Sequence, residues 1–77
     1  MVPRNIHWYF GCQQDCPELH RRFSVELGED SEGVFWVRTT VSWGQTCPQL
    51  FRFVDRRQAM DRLACLTREL RAEMENV

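Results

Sequence analysis

The run Val34-Phe35-Trp36-Val37-Arg38-Thr39-Thr40-Val41-Ser42-Trp43 decides the fold. Side chains alternate across a strand, so Phe35, Val37, Thr39, Val41 and Trp43 share one face, and Val34, Trp36, Arg38, Thr40 and Ser42 share the other. β-branched and aromatic residues dominate both rows, as in a strand of a packed sheet. One face reads as core. The other carries a tryptophan and an arginine that also need a place.

Working outward from 34–43, the polar, glycine-bounded segment Gly28-Glu29-Asp30-Ser31-Glu32-Gly33 reads as a hairpin turn. Before it, over 20–27, Phe23, Val25 and Leu27 alternate with Arg22, Ser24 and Glu26, which marks a half-buried strand. Further back, 4–10 place Ile6, Trp8 and Phe10 on one parity and His7 and Tyr9 on the other, a first strand that stops at Gly11. Residues 11–19 contain Gly and Pro, lack a period, and read as a loop. In the other direction, Gly44 to Pro48 interrupts the pattern and 49–54 resumes it, with Phe51 and Phe53 opposite Leu50, Arg52 and Val54.

Asp55, with Gln58 three residues on, fits a helix N-cap and capping box, and 56–76 contains neither Gly nor Pro. Around Leu63, the residues Ala59, Met60, Leu66, Thr67, Leu70, Met74 and Val77 fall within roughly 60° on a helical wheel, one apolar stripe. Consecutive strands with short connections pair with each other. The expected architecture is α+β: an antiparallel meander of three to four strands with one C-terminal helix packed on one face, as a single domain over 1–77.

The chain has 77 residues, ten basic and eleven acidic, for a formal net charge of −1. No whole-protein basic field exists to hold a nucleic-acid backbone. No run of about eighteen apolar residues is present, so no membrane is expected as a partner. Ile6 to Phe10 is too short and too polar for a secretory core, which makes the cytoplasm the expected compartment. The sequence has no phosphate-cradling glycine loop, no metalloprotease helix motif and no C-x-x-C, and an enzyme is not expected. Every basic residue is arginine, a usage that a GC-rich genome favours and that carries no mechanism.

Four cysteines are many for this length. In an up-and-down meander the first and third connections lie at one end, which would bring Cys12 and Cys16 beside Cys47, with His20 at the start of strand two. Three thiolates and an imidazole suit a tetrahedral structural zinc, although the paired C-x-x-C knuckles of zinc ribbons are missing. A disulfide from Cys47 to Cys12 or Cys16, and free packed thiols, are the other states open to these residues. Each would be a staple rather than an active site, and no other cofactor is expected.

On the second sheet face, Trp36, Val34, Leu50 and Val54 would stand beside Arg22, Arg38 and Arg52, joined by Tyr9 and His7 if the first strand adds to the sheet. An uncovered tryptophan among guanidinium groups has the composition of a protein-interface hot spot. It also suits stacking of single-stranded nucleic acid. The plainer alternative is that the N-terminal segment folds back over this face. Glu29, Asp30 and Glu32, approached by Glu26, form an acidic turn suited to a basic partner. The helix carries Arg56, Arg57 and Arg62 early and Glu69, Glu73 and Glu75 late, opposite to what its macrodipole favours. The pairs Arg57–Asp61 and Arg71–Glu75 would soften that conflict. Cys65, on the polar side of the helix, is either an exposed thiol or part of a homodimer contact.

A lysine-free chain of this size, with a strand meander, the acidic hairpin Glu29-Asp30-Ser31-Glu32 and a terminal helix from Asp55, resembles in size and layout the small proteins that phages and mobile elements encode against host defence, such as anti-CRISPR proteins. The resemblance implies a non-enzymatic inhibitor or modulator that occludes a surface of a larger host protein complex. Its contact residues would be Trp36, Arg38, Arg22, Arg52 and Tyr9 on the face, Glu29, Asp30 and Glu32 at the turn, or both sets. A small nucleic-acid-binding regulator using the aromatic and arginine face is the alternative from another class. A zinc-stapled structural or dimeric module is the third.

Overall fold

Phe23, Val25, Leu27 and Val37 stand at alternate positions of two neighbouring strands and are at most 1% exposed. They face Ala59, Leu63, Leu66 and Met74, which recur on one side of a helix, and the two rows close into one core. The computed structural model describes residues 5–44 and 48–76. In chain order these form β1 (His7–Cys16), a 3-10 turn (Pro17–Leu19), β2 (Arg21–Glu29), β3 (Phe35–Val41), β4 (Gln49–Phe53) and α1 (Arg56–Glu75). The sheet order is β1-β2-β3-β4 with every pair antiparallel, and α1 lies chiefly across β2 and β3. The fold is thus the α+β meander with a C-terminal helix. No helix among the described residues is long and apolar enough to cross a membrane.

The helix starts where Asp55, in extended conformation, accepts a hydrogen bond on Oδ1 from the Arg57 N–H at 3.1 Å. Its other end resolves the inverted charge order. Arg21, at the start of β2, donates from Nη1 to the carbonyl oxygens of Met74 and Asn76 at 3.1 and 2.9 Å, and to that of Glu73 at 3.3 Å. The cation that the macrodipole calls for comes from the sheet rather than from the helix. Glu73 in turn accepts from the Trp43 indole Nε1 at 3.1 Å. The expected pairs Arg57–Asp61 and Arg71–Glu75 are not closed, since Arg38–Glu26 is the one ion pair within 4.0 Å among the described residues.

Two boundaries depart from the sequence expectation. β1 does not stop at Gly11 but runs on to Cys16, pairing with β2 down to Cys16↔Arg21. The first connection is therefore a single turn, closed by the His20 N–H on the Pro17 carbonyl with His20 at φ 53°. β2 likewise continues through Gly28, so the second turn is shorter than the glycines suggest. Ser31, Glu32 and Gly33 form a three-residue loop in which the Gly33 N–H reaches the Asp30 carbonyl at 3.2 Å and Gly33 takes φ +78°. This is a type I turn closed by a glycine bulge.

Candidate binding surface

With α1 on one side, the opposite side of the sheet carries the even-numbered residues of β2, β3 and β4. Register aligns Trp8, Gly28, Trp36 and Arg52 in one row, and Gly11, Glu26, Arg38 and Leu50 in the next. A row of Gln13, Ser24 and Thr40 follows, then Asp15 and Arg22. Arg22, Arg38 and Arg52 do share this face, as their parity implies.

Trp36 is not uncovered, however: it is 8% exposed. The cause is a β-bulge in β1 between Trp8 and Phe10, where one extra residue reverses the parity of the strand. Phe10, Cys12 and Gln14 consequently share a side with the core residues Leu27, Val25 and Phe23 that they pair with, as does Cys16 opposite Arg21, while Trp8 turns to the open face. Trp8 and Ile6 fill the space above Gly28, where an added Cβ would lie 2.7 and 2.6 Å from them and 2.8 Å from the His7 carbonyl. Gly28 is the residue that lets the N-terminal segment lie against this face next to Trp36.

The Arg38 guanidinium lies over the Trp8 ring, 4.2 Å from its centroid, and Nη2 donates to both oxygens of Glu26 at 2.9 and 3.0 Å. Glu26 thereby leaves the acidic turn and joins the open face. Trp8, not Tyr9, is the aromatic that β1 places beside Trp36 on this face; its sequence signal is Gly28, read above as the edge of the turn, because a glycine within a strand marks a close approach. Tyr9 is 40% exposed at the sheet edge, stacked on His7 with centroids 6.1 Å apart.

The acidic turn is divided by function. Asp30 Oδ1 accepts from the backbone N–H groups of Glu32 and Val34 at 2.8 and 3.0 Å, and Oδ2 accepts from Trp36 Nε1 at 2.9 Å. The Trp36 bond, then the Val34 backbone bond, hold the Asp30 carboxyl below its ordinary 3.8; burial opposes them, and the Glu32 N–H and the charge of Arg52 add smaller lowering effects. Asp30 is a turn-builder, whereas Glu32 is exposed and Glu29 half-buried at the end of β2.

Cys12, Cys16 and His20 do not gather at one point. Cys12 and Cys16 lie on a strand four residues apart, which separates their Cα atoms by about 13 Å, too far for sulfurs that must each sit about 2.3 Å from one zinc ion. His20 occupies the turn beyond them, and Cys47 lies outside the described residues. Among the described residues no group of three or more His, Cys, Asp or Glu side chains is gathered for a metal. Cys12, Cys16 and Cys65 are half-buried free thiols, with Cys65 Sγ 3.5 Å from Glu69 Oε1.

The open face therefore presents exposed Arg22 and Arg52, half-exposed Arg38 and Leu50, and a floor of small polar side chains around Gln13, Ser24 and Thr40. No protein-family model matches the chain, and no curated protein and no solved structure shows significant similarity to it.

Proposed function

We propose that the protein is a non-enzymatic binding protein that inhibits or modulates a larger host complex by occluding one of its surfaces, as anti-CRISPR-type phage proteins do. The observation that carries this is the asymmetry of the sheet: a helix covers one face, whereas on the other the N-terminal segment covers only the row at Gly28 and Trp36, and among the described residues no element covers the rows from Arg22 to Arg38. Arg22, Arg52, Arg38 and Leu50 are the contacts, with Arg38 held in place by Trp8 and Glu26. Glu29 and Glu32 supply a second, acidic contact at the turn. Trp36 and Asp30 serve this surface from within, by fixing the hairpin.

A nucleic-acid partner has less support. Stacking of bases needs an open aromatic face, and the Trp8 face is taken by Arg38 while Trp36 is buried.

The experiment compares affinity capture of the host complex, and its inhibition, by the natural protein and by two variants, Arg22→Glu with Arg52→Glu and Glu29→Lys with Glu32→Lys. At least one variant loses capture and inhibition about tenfold or more, a typical hot-spot effect. If both folded variants bind as before, the surface assignment is wrong. Binding that falls steeply with salt, and that DNA or RNA competes away, would favour the nucleic-acid alternative.

A further inference from the structure

Among the described residues β1 has a sheet neighbour on one side only, so its outer edge carries backbone N–H and C=O groups that no described strand pairs. Past the bulge, Phe10-Gly11-Cys12-Gln13-Gln14-Asp15-Cys16 keeps regular register with β2, and Asp15 is its one charged residue. Natural edge strands are normally blunted by charge, proline or brevity, and this one has none of these beyond Asp15 and the bulge at its start.

The edge is flanked by a depression lined by Phe10, Cys12, Ala64, Thr67, Arg68 and Arg71. Phe10 is 48% exposed there. Arg71 is oriented by Nε donating to Gln14 Oε1 at 3.1 Å, and neither Arg68 nor Arg71 has a carboxylate within 4.0 Å among the described residues. The opposite flank of α1, beside Val41 and Trp43, presents Glu69 and Glu73 instead. That flank also carries Arg62, over the Phe51 ring, whereas Arg68 and Arg71 are the charged side chains that line the depression next to the long open edge.

We propose that the β1 edge takes up an extended acidic segment of a partner protein as a fifth strand. Such a strand would lie about 4.8 Å beyond β1, with alternate side chains directed to the helix side. On that side an apolar residue meets Phe10 and Ala64, and carboxylates meet Arg68 and Arg71. A second copy of this chain fits less well through its own β1. The side chains it would add on the helix side are Phe10, Cys12, Gln14 and Cys16, none of them acidic, and the two copies' arginines would approach each other. The site lies on the edge of the sheet and is independent of the open face.

The probe is a short synthetic peptide with threonine at every second position and valine followed by glutamates at the positions between, so that valine and carboxylates share one face of the extended chain, followed by amide NMR spectra of the labelled full chain, with the same peptide carrying lysine in place of glutamate as control. The glutamate peptide shifts the amides of residues 10–16 and slows exchange of those facing outward, whereas the lysine peptide does neither. Replacing both exposed arginines, Arg68→Ser with Arg71→Ser, weakens binding about tenfold. The Arg22→Glu, Arg52→Glu variant binds the peptide unchanged, which separates this site from the open face. Absence of any response, an equal response to the lysine peptide, or shifts confined to other strands would overturn the proposal. Concentration-dependent self-association that protects the same amides would assign the edge to a second copy and overturn it equally.

Discussion

Asp30 shows how much one side chain can settle. Three donors converge on its two oxygens, and they tie the start of β3 and the Trp36 indole to the last residue before the turn. Because the folded carboxyl titrates below 3.8, the unfolded chain binds its proton first on acidification. The stability that ionised Asp30 contributes is therefore complete above that value, and is lost as pH falls from 3.8 through the lower folded value. Thermal melts from neutral pH to about pH 2 should show the natural protein losing stability over this acid range more steeply than Asp30→Asn. At neutral pH the variant should be the less stable, since an amide has a single acceptor oxygen for three donors. Identical acid profiles for the two proteins would show that these bonds do not distinguish the folded from the unfolded carboxyl. An acidic residue opening a turn is readable in sequence, but its use by Trp36 is not, because the turn first has to be placed at Ser31-Glu32-Gly33 rather than at Gly28.

At the scale of elements, β2, β3, β4 and α1 match the expected spans to within two residues, because each carries an apolar period against the core. β1 does not, for two physical reasons. It is an edge strand lying off the axis of the helix, so its helix-side row of Phe10, Cys12, Gln14 and Cys16 is only partly apolar. Its bulge also breaks parity, so that Trp8 and Phe10 look equivalent in sequence yet face opposite ways. The end of α1 was equally hidden: the inverted charge order made sense only once Arg21 was brought to the last carbonyls from about fifty residues away. Arg21→Ala should cost about 1 kcal/mol in urea unfolding and speed amide exchange over the last turn of the helix. Arg21→Lys should recover part of the loss, since it keeps the charge but not the fork of donors. Unchanged exchange at the helix end in Arg21→Ala would show that the carbonyls are equally well served by water.

For the molecule as a whole, a net charge of −1 conceals a segregated surface. Arg68 and Arg71 line the β1 flank of the helix and Arg22, Arg38 and Arg52 the open face, while Glu29 and Glu32 stand at the turn and Glu69 and Glu73 beside Trp43, with Arg62 over Phe51 and Glu26 paired to Arg38 as the exceptions. The arginine rows of the open face were legible from strand parity; the two flanks of the helix required knowing which side β1 takes. Size limits how such surfaces can be tested. At about 0.05–0.15 kcal/mol per residue, a chain of this length has a total stability of about 4 to 12 kcal/mol. Leu63 is 6% exposed at the centre of the helix stripe, and Leu63→Ala should cost about 2–5 kcal/mol through lost burial and a cavity. That is a large fraction of the whole, and the variant should unfold at markedly lower urea and lose every binding activity together. Arg22→Glu, at an exposed site without an ion pair among the described residues, should stay within about 0.5 kcal/mol of the natural protein, and Arg52→Glu should cost only a little more, since the Arg52 charge is the least of the effects on Asp30. Urea midpoints measured beside binding then separate the two causes of lost function. A surface variant as unstable as Leu63→Ala would mean that the open face holds the sheet together rather than a partner.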